Sequence, residues 1–166
     1  MRLALSMDEF LAYTAGERVR WEQWFGAHPA AALEASVQRG GRFATVWALM
    51  DHIFIVEKRH TQRLMQVSPL AQETGVAAMD APALFAYGRA AHEQLAAYVA
   101  TLSDADAACV REFTMLTKTY SLTPRKLLFH IQIHEVRHWA QIAAALRNAG
   151  FRPPGDHDLL FSSALP

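Results

Sequence analysis

Residues Phe129–Gly150, FHIQIHEVRHWAQIAAALRNAG, carry the clearest structural signal in the chain. Their apolar side chains recur at intervals of three and four, which is the period of one face of an α-helix. Just upstream, Thr123 and Pro124 are typical of an N-cap followed by proline at the first helical position. Gly150 stands where a left-handed C-terminal cap belongs. The pattern predicts one long helix of about seven turns, at about 3.6 residues per turn.

Three histidines lie at intervals of four on this helix, at His130, His134 and His138. Residues four apart share a helix face, so the three imidazoles form a stripe. Imidazoles that face the protein interior need partners, and a divalent metal ion is the partner to test first. Two ligands hold such an ion poorly, since catalytic zinc sites usually take three protein ligands. A third ligand is therefore expected from elsewhere in the chain.

Length and composition predict one globular domain that spans residues 1–166, with 52% hydrophobic residues to build its core. The formal net charge is zero, so no acidic or basic excess favours nucleic acid or an anionic membrane surface as a partner. A single cysteine cannot form an intrachain disulfide, and Asp8 and Glu9 interrupt any N-terminal secretory segment. No run is long and apolar enough to span a bilayer. We expect a cytoplasmic protein.

Helical periods also cover about residues 7–27, 42–66 and 81–102, with Ser6 and Asp80 as N-caps of the first and third. Residues 67–79 carry proline and glycine and are predicted to connect two helices. The period fails over residues 103–122, where 109–110 and 113–116 are predicted to be short extended pieces. This connector is expected to be a crossover or a pocket lid. The fold class is therefore all-α, a four-helix bundle with long crossover connections.

In such bundles, metal sites are built from inward-facing side chains on facing helices. His52 lies in the middle of the second helix and is the natural third ligand beside His134 and His138. His130 could take the place of His138. A neutral three-imidazole set suits Zn²⁺, Ni²⁺ or Fe²⁺ and leaves the ion its positive charge. The ion can then activate a water molecule or bind a thiol as thiolate.

The last helix also spells HEVRH at residues 134–138, the H-E-x-x-H pattern of zinc peptidases in which the glutamate is a general base. Such peptidases need a glutamate ligand downstream, or a glycine and a third histidine. No glutamate follows Glu135, and His138 is followed by Trp139, Ala140 and Gln141. A zinc peptidase is therefore the lesser alternative.

The histidine arrangement on two helices resembles the DinB superfamily of small YfiT-like helical bundles. The residues that carry the resemblance are His52, Glu57 and His60 on the second helix and His130, His134, His138 and Gln141 on the last. It implies a metal triad of His52, His134 and His138, with His130 in a supporting position. The superfamily includes proteins named only for induction by DNA damage, and members that resemble transferases and isomerases using low-molecular-weight thiols. Relatives often carry His-His-Arg-Gly-Gln where this chain has RHWAQ at 137–141, so Trp139 is expected to add bulk at the pocket rim.

Five residues are predicted to line the pocket or to support the ligands, namely His130, His60, Gln141, Arg59 and Glu57. Glu57 lies about 140° around the helix from His52, at about 100° per residue, which favours a salt-bridging or supporting role over that of a catalytic base. Arg59 shares the face of His52 and could meet an anionic substrate or be a solvated charge. Gln141 shares the face of His134 and could bind substrate or orient a ligand.

Two functional classes follow. The first is a metal-dependent enzyme, a thiol-dependent transferase or isomerase or a hydrolase, that acts on a small-molecule substrate or thiol. The second is a non-catalytic metal-binding stress-response protein, whose ion clamps the second helix to the last and stabilises the fold by linkage. Apolar helix faces in so small a bundle also make a homodimer an expectation.

Overall fold

Four long helices form the protein. The computed structural model describes residues 5–37, 41–67, 80–115, 117–155 and 158–164. The long helices are α1 (Met7–Gly26), α2 (Val46–Leu64), α3 (Ala81–Thr101) and α5 (Pro124–Asn148). Between α3 and α5 lie the short helix α4 (Asp104–Ala108) and two strands, β1 (Arg111–Met115) and β2 (Lys118–Leu122). Single 3₁₀ turns cover Ala30–Ala32 and Leu159–Phe161. The predicted four-helix bundle is confirmed.

The predicted helix caps are present. Ser6 and Glu9 form a reciprocal capping box at the start of α1. Asp80 begins α3 and Thr123 begins α5, each with its side chain accepting a hydrogen bond from a backbone N–H three residues on. Gly150, with φ of +85°, has the left-handed conformation expected after α5. These bonds satisfy helix-end groups that have no partner within the helix.

The second helix starts later than its sequence pattern predicts. Instead of beginning near Arg42, α2 begins at Val46, with Thr45 as its N-cap. Thr45 also forms an isolated antiparallel bridge with Ser36, and Val37 N–H donates to the carbonyl of Ala44 at 3.1 Å. The apolar period therefore begins about four residues before the helix does, in a segment that includes the extended Thr45. The predicted connection at residues 67–79 lies almost entirely outside the described residues.

A β-hairpin occupies the connector between α3 and α5. Strands β1 and β2 pair antiparallel, with Phe113 opposite Tyr120. Phe113 is 4% exposed and belongs to a core cluster with residues of α1, α2, α3 and α5. Arg63 of α2 donates from Nε to the carbonyl of Thr114 at 2.8 Å. Extended structure was predicted at 113–116 and lies partly in β1, whereas 109–110 precedes the strand.

The second and larger core cluster contains Trp139, which is 2% exposed. Its ring stacks on Trp21 with centroids 5.0 Å apart and planes 12° apart. The prediction that Trp139 lies at the pocket rim is wrong. Five residues after His134, at about 100° per residue, its side chain points to the opposite side of α5, into the core. No helix among the described residues is long and apolar enough to cross a membrane.

Candidate metal centre

Three histidines from two helices converge on one point. His52 comes from the middle of α2, and His134 and His138 come from successive turns of α5. The Nε2 atom of His134 lies 3.1 Å from Nε2 of His52 and 3.0 Å from Nε2 of His138. One ligand nitrogen from each residue lies within 4.8 Å of the others. Within the described residues, no other group of three metal-ligating side chains comes together in this way.

The protonation of these imidazoles suits a metal ligand. Burial, together with the other histidines around it, lowers the pKa of His134 to about 3. Burial likewise lowers the pKa of His52 to about 4, with help from His138 and two arginines. Burial lowers the pKa of His138 as well. All three rings are therefore neutral near pH 7, and each has a lone pair to offer. Three neutral nitrogens at this spacing fit one divalent cation such as Zn²⁺.

Gln141 orients one of the three rings. Its Oε1 lies 2.6 Å from Nδ1 of His138, so Nδ1–H donates and the Nε2 lone pair is left to face His134. Of the two roles expected for Gln141, this contact matches the orienting one. The ring of Phe43 also lies next to the site, with its centroid 4.4 Å from that of His52 and 6.1 Å from that of His138.

His130 and His60 extend the row of imidazoles away from the triad. The ring centroid of His130 lies 5.7 Å from that of His134 and 5.6 Å from that of His60. His130 is exposed, whereas His60 is only 8% exposed. Burial lowers the pKa of His60 to about 3, with Arg63 contributing, so His60 is neutral too. The structure places both beside the predicted metal ligands and neither among them.

Glu57 lies on the far side of α2 from His52, in an ion pair with Arg18 at 2.7 Å. His92 Nδ1 is 3.0 Å from its other oxygen. Burial by itself raises the pKa of Glu57, but Arg18 and His92 outweigh burial and hold that pKa below its usual range. The structure therefore places Glu57 in a salt bridge, away from the metal ligands.

Arg18 joins all four long helices, a role that was not predicted from the sequence. From α1 its guanidinium reaches Glu57 of α2, donates to the carbonyl of Gly88 in α3 at 2.8 Å, and contacts Glu135 of α5 at 2.5 and 2.7 Å. Its position among the apolar residues on one face of α1 could have indicated this role, because a buried arginine needs a partner of opposite charge. The ion pairs lie on faces of α2 and α5 that are turned away from the histidines.

The position of Glu135 excludes the peptidase function that the H-E-x-x-H pattern at residues 134–138 suggests. Glu135 is 1% exposed, and both of its oxygens are engaged by Arg18. Trp139 also donates from Nε1 to Glu135 at 3.0 Å. The carboxylate thus faces the core, about 100° around α5 from His134. It cannot take a proton from a water molecule at the triad, as a peptidase general base must.

Solved structures with the same fold include two proteins of similar length. A DinB-like protein from Bacillus cereus ATCC 10987 is 16% identical, with a TM-score of 0.63 over 88% of this chain and 94% of that one. YfiT from Bacillus subtilis, described as a probable metal-dependent hydrolase with an unusual four-helix bundle topology, is 18% identical. Its TM-score is also 0.63, over 91% of this chain and 93% of its own. No curated protein sequence matches the chain.

At these identities the two structures establish the fold alone. The family assignment comes from the sequence, because the profile of the DinB family matches residues 2–164. That match covers both helices that carry the triad and nearly everything around them. The chain therefore belongs to the DinB family.

Proposed function

We propose that this protein is a metal-dependent enzyme, of thiol-transferase or hydrolase type, whose divalent ion is held by His52, His134 and His138. The observation that carries the proposal is the convergence of three neutral imidazole nitrogens, 3.0–3.1 Å apart about His134, from two different helices. Imidazole ligands suit Zn²⁺ first, with Ni²⁺ and Fe²⁺ as further possibilities. The description of the YfiT structure as a probable metal-dependent hydrolase supports the same class.

An ion in such a site supplies Lewis acidity, because neutral ligands leave its charge in place and lower the pKa of a water or thiol that it binds. The chain's own residues prepare the site. Gln141 fixes the ring of His138, and Phe43 packs against the ring of His52. The triad remains half-buried, so a small substrate or a low-molecular-weight thiol can reach it.

Two observations favour a catalytic ion over one that only stabilises the fold. Structural zinc sites are closed by four protein ligands, whereas the described residues bring three side chains together here. The helices that carry those ligands, α2 and α5, are already joined through Glu57, Arg18 and Glu135. These ion pairs therefore hold α2 and α5 together without a metal ion.

Elemental analysis of protein purified without an affinity tag or a metal column tests the site. We expect about one equivalent of metal in the wild type and none in His52→Ala or His134→Ala. His28→Ala is the matched control and should keep the metal, because His28 lies just after α1, bonded to the carbonyl of Trp24 and outside the triad. Circular dichroism should show that all variants are folded. Stoichiometric metal that survives in His52→Ala would refute the proposed ligand set.

Cobalt substitution tests catalysis against a structural role. Added thiols or azide should change the visible spectrum of the Co²⁺ protein, because an open coordination position can accept them. A visible spectrum that does not change when thiols, azide or candidate substrates are added would contradict the enzyme proposal. A large fall in melting temperature on chelation, with an unfolded His134→Ala variant, would instead favour the structural role.

A further inference from the structure

Beyond the triad, one end of the site carries positive charge without matching negative charge. Arg59 and Arg63 follow His52 on α2, and each lies within about 20° of its direction at about 100° per residue. Both are half-buried. Among the described residues neither forms an ion pair, and Arg63 uses its Nε to bond the carbonyl of Thr114. The two guanidinium groups also act on each other, since Arg59 contributes to the lowered pKa of Arg63.

Like charges one helical turn apart are unfavourable unless something compensates them. The arginines also act on the neighbouring imidazoles. After burial and His138, Arg42 and Arg59 lower the pKa of His52. After burial, Arg63 lowers the pKa of His60. A divalent ion at the triad would add still more positive charge. The compensating group that this arrangement calls for is an anion.

His60 supplies a neutral donor at the same place. Its Nδ1 is enclosed and has no hydrogen-bond partner among the described residues. A buried N–H without an acceptor is costly, so the ring proton belongs on Nε2. From there it can be donated to a ligand. His130 faces His60 from α5, with ring centroids 5.6 Å apart and planes 83° apart.

We propose that Arg59, Arg63 and His60, with His130 across from them, bind the carboxylate or phosphate group of an anionic substrate. The reacting end of that substrate would lie at the triad, and this last part rests on the proposed function. We call these four residues the basic end of the site. Guanidinium groups bind both oxyanions through paired N–H donors, so the structure names the shared chemistry.

Titration of the metal-free protein tests the basic end without relying on the ion. Succinate and inorganic phosphate are the probes, each at constant ionic strength, and neutral succinamide is the control ligand. We expect saturable binding of one anion, followed by calorimetry and by the imidazole NMR signals of His60 and His130. The anion that binds more tightly identifies the group as carboxylate or phosphate.

The decisive variant is the double substitution Arg59→Gln with Arg63→Gln. Loss of two charge-assisted contacts should weaken anion binding by at least about tenfold. Arg125→Gln is the matched control, because Arg125 is an exposed arginine of α5 that stacks on Phe129. It should bind the anion as the wild type does. His60→Phe should weaken binding, and His60→Gln, which keeps an N–H donor, should retain most of it.

Three results would overturn the proposal. They are no saturable binding of either anion, binding that is unchanged in the double variant, and equal weakening in Arg125→Gln. An anion that binds only the zinc-loaded protein, with the same affinity in the double variant, would be on the metal and would overturn it as well. Native protein that lacks metal but binds the anion would refute the proposed function and support the basic end.

Discussion

Replacing Arg18 with methionine tests whether one buried cation holds the four long helices together. The arginine is 3% exposed, and its guanidinium lies 2.5–2.7 Å from oxygens of Glu57 and Glu135. Methionine fills similar space but leaves both carboxylates buried without their cation. It also removes the donor to the carbonyl of Gly88, 2.8 Å away.

Removing one partner from a buried ion pair costs about 3–5 kcal/mol, and an unpaired buried carbonyl adds about 1 kcal/mol. Against a total stability of about 5–15 kcal/mol, we expect Arg18→Met to lose about 4 kcal/mol of unfolding free energy at pH 7. Arg89→Gln is the control. Arg89 pairs with Glu22 at 2.5 Å, also between α1 and α3, but its side chain is 47% exposed. Its loss should cost less than about 1 kcal/mol.

Urea denaturation of the metal-free proteins, followed by tryptophan fluorescence, measures both costs. The pH dependence supplies a second check. Arg18 holds the pKa of Glu57 low, so the stabilisation is present above the unfolded value of 4.5 and is lost as pH falls through the folded pKa. In the variant, burial is left to raise that pKa. The difference between wild type and Arg18→Met should therefore shrink from pH 7 to pH 4. A loss below about 1 kcal/mol at pH 7, or a difference that grows in acid, would refute the reasoning.

Further predictions concern packing, acidity and ligand orientation. A Cβ at Gly88 would lie 2.7 Å from Cδ1 of Phe54, so Gly88→Ala should cost about 1–3 kcal/mol. A Cβ at Gly16 would meet open space, so Gly16→Ala should stabilise α1 by up to about 1 kcal/mol. A lower melting temperature for Gly16→Ala than for Gly88→Ala would contradict this packing argument. Burial raises the pKa of Glu17 from 4.5 to about 7, so the folded state keeps a proton that the unfolded chain releases, and stability falls as pH rises through that window. Glu17→Gln should therefore raise the unfolding free energy by about 2 kcal/mol at pH 8 and leave it unchanged at pH 4. Urea titrations that give the same change at both pH values would contradict this prediction. Gln141→Ala should weaken Zn²⁺ binding about 10–100-fold in a chelator competition while the metal-free melting temperature stays constant, and unchanged affinity would exclude an orienting role.

Local features of this chain were readable from the sequence because they depend on neighbours a few residues away. The caps at Ser6, Asp80 and Thr123 and the glycine after α5 mark helix ends through contacts within one turn. The spacing of His134 and His138 likewise places their rings on one face of α5. The predicted start of α2 was wrong because Thr45 forms a β-bridge with Ser36, and its backbone is therefore extended. Pairing between the two strands also decided the register of the hairpin, which no helical period reveals.

Contacts between distant residues were decided by the tertiary structure. His52 and His134 are 82 residues apart, and only the docking of α2 on α5 brings their Nε2 atoms to 3.1 Å. Arg18 and Glu135 are 117 residues apart, and the sequence does not show which of 16 basic residues is buried.

The letters HEVRH therefore have two meanings. The sequence by itself determined that His134, Glu135 and His138 follow one another on a helix, because helical geometry is local. The packing of α2 on α5 decided that the two histidines face His52, and the packing of α1 decided that the glutamate faces Arg18. Adjacent residues on a helix point about 100° apart, so one tightly packed helix can serve a metal site on one side and a buried ion pair on the other.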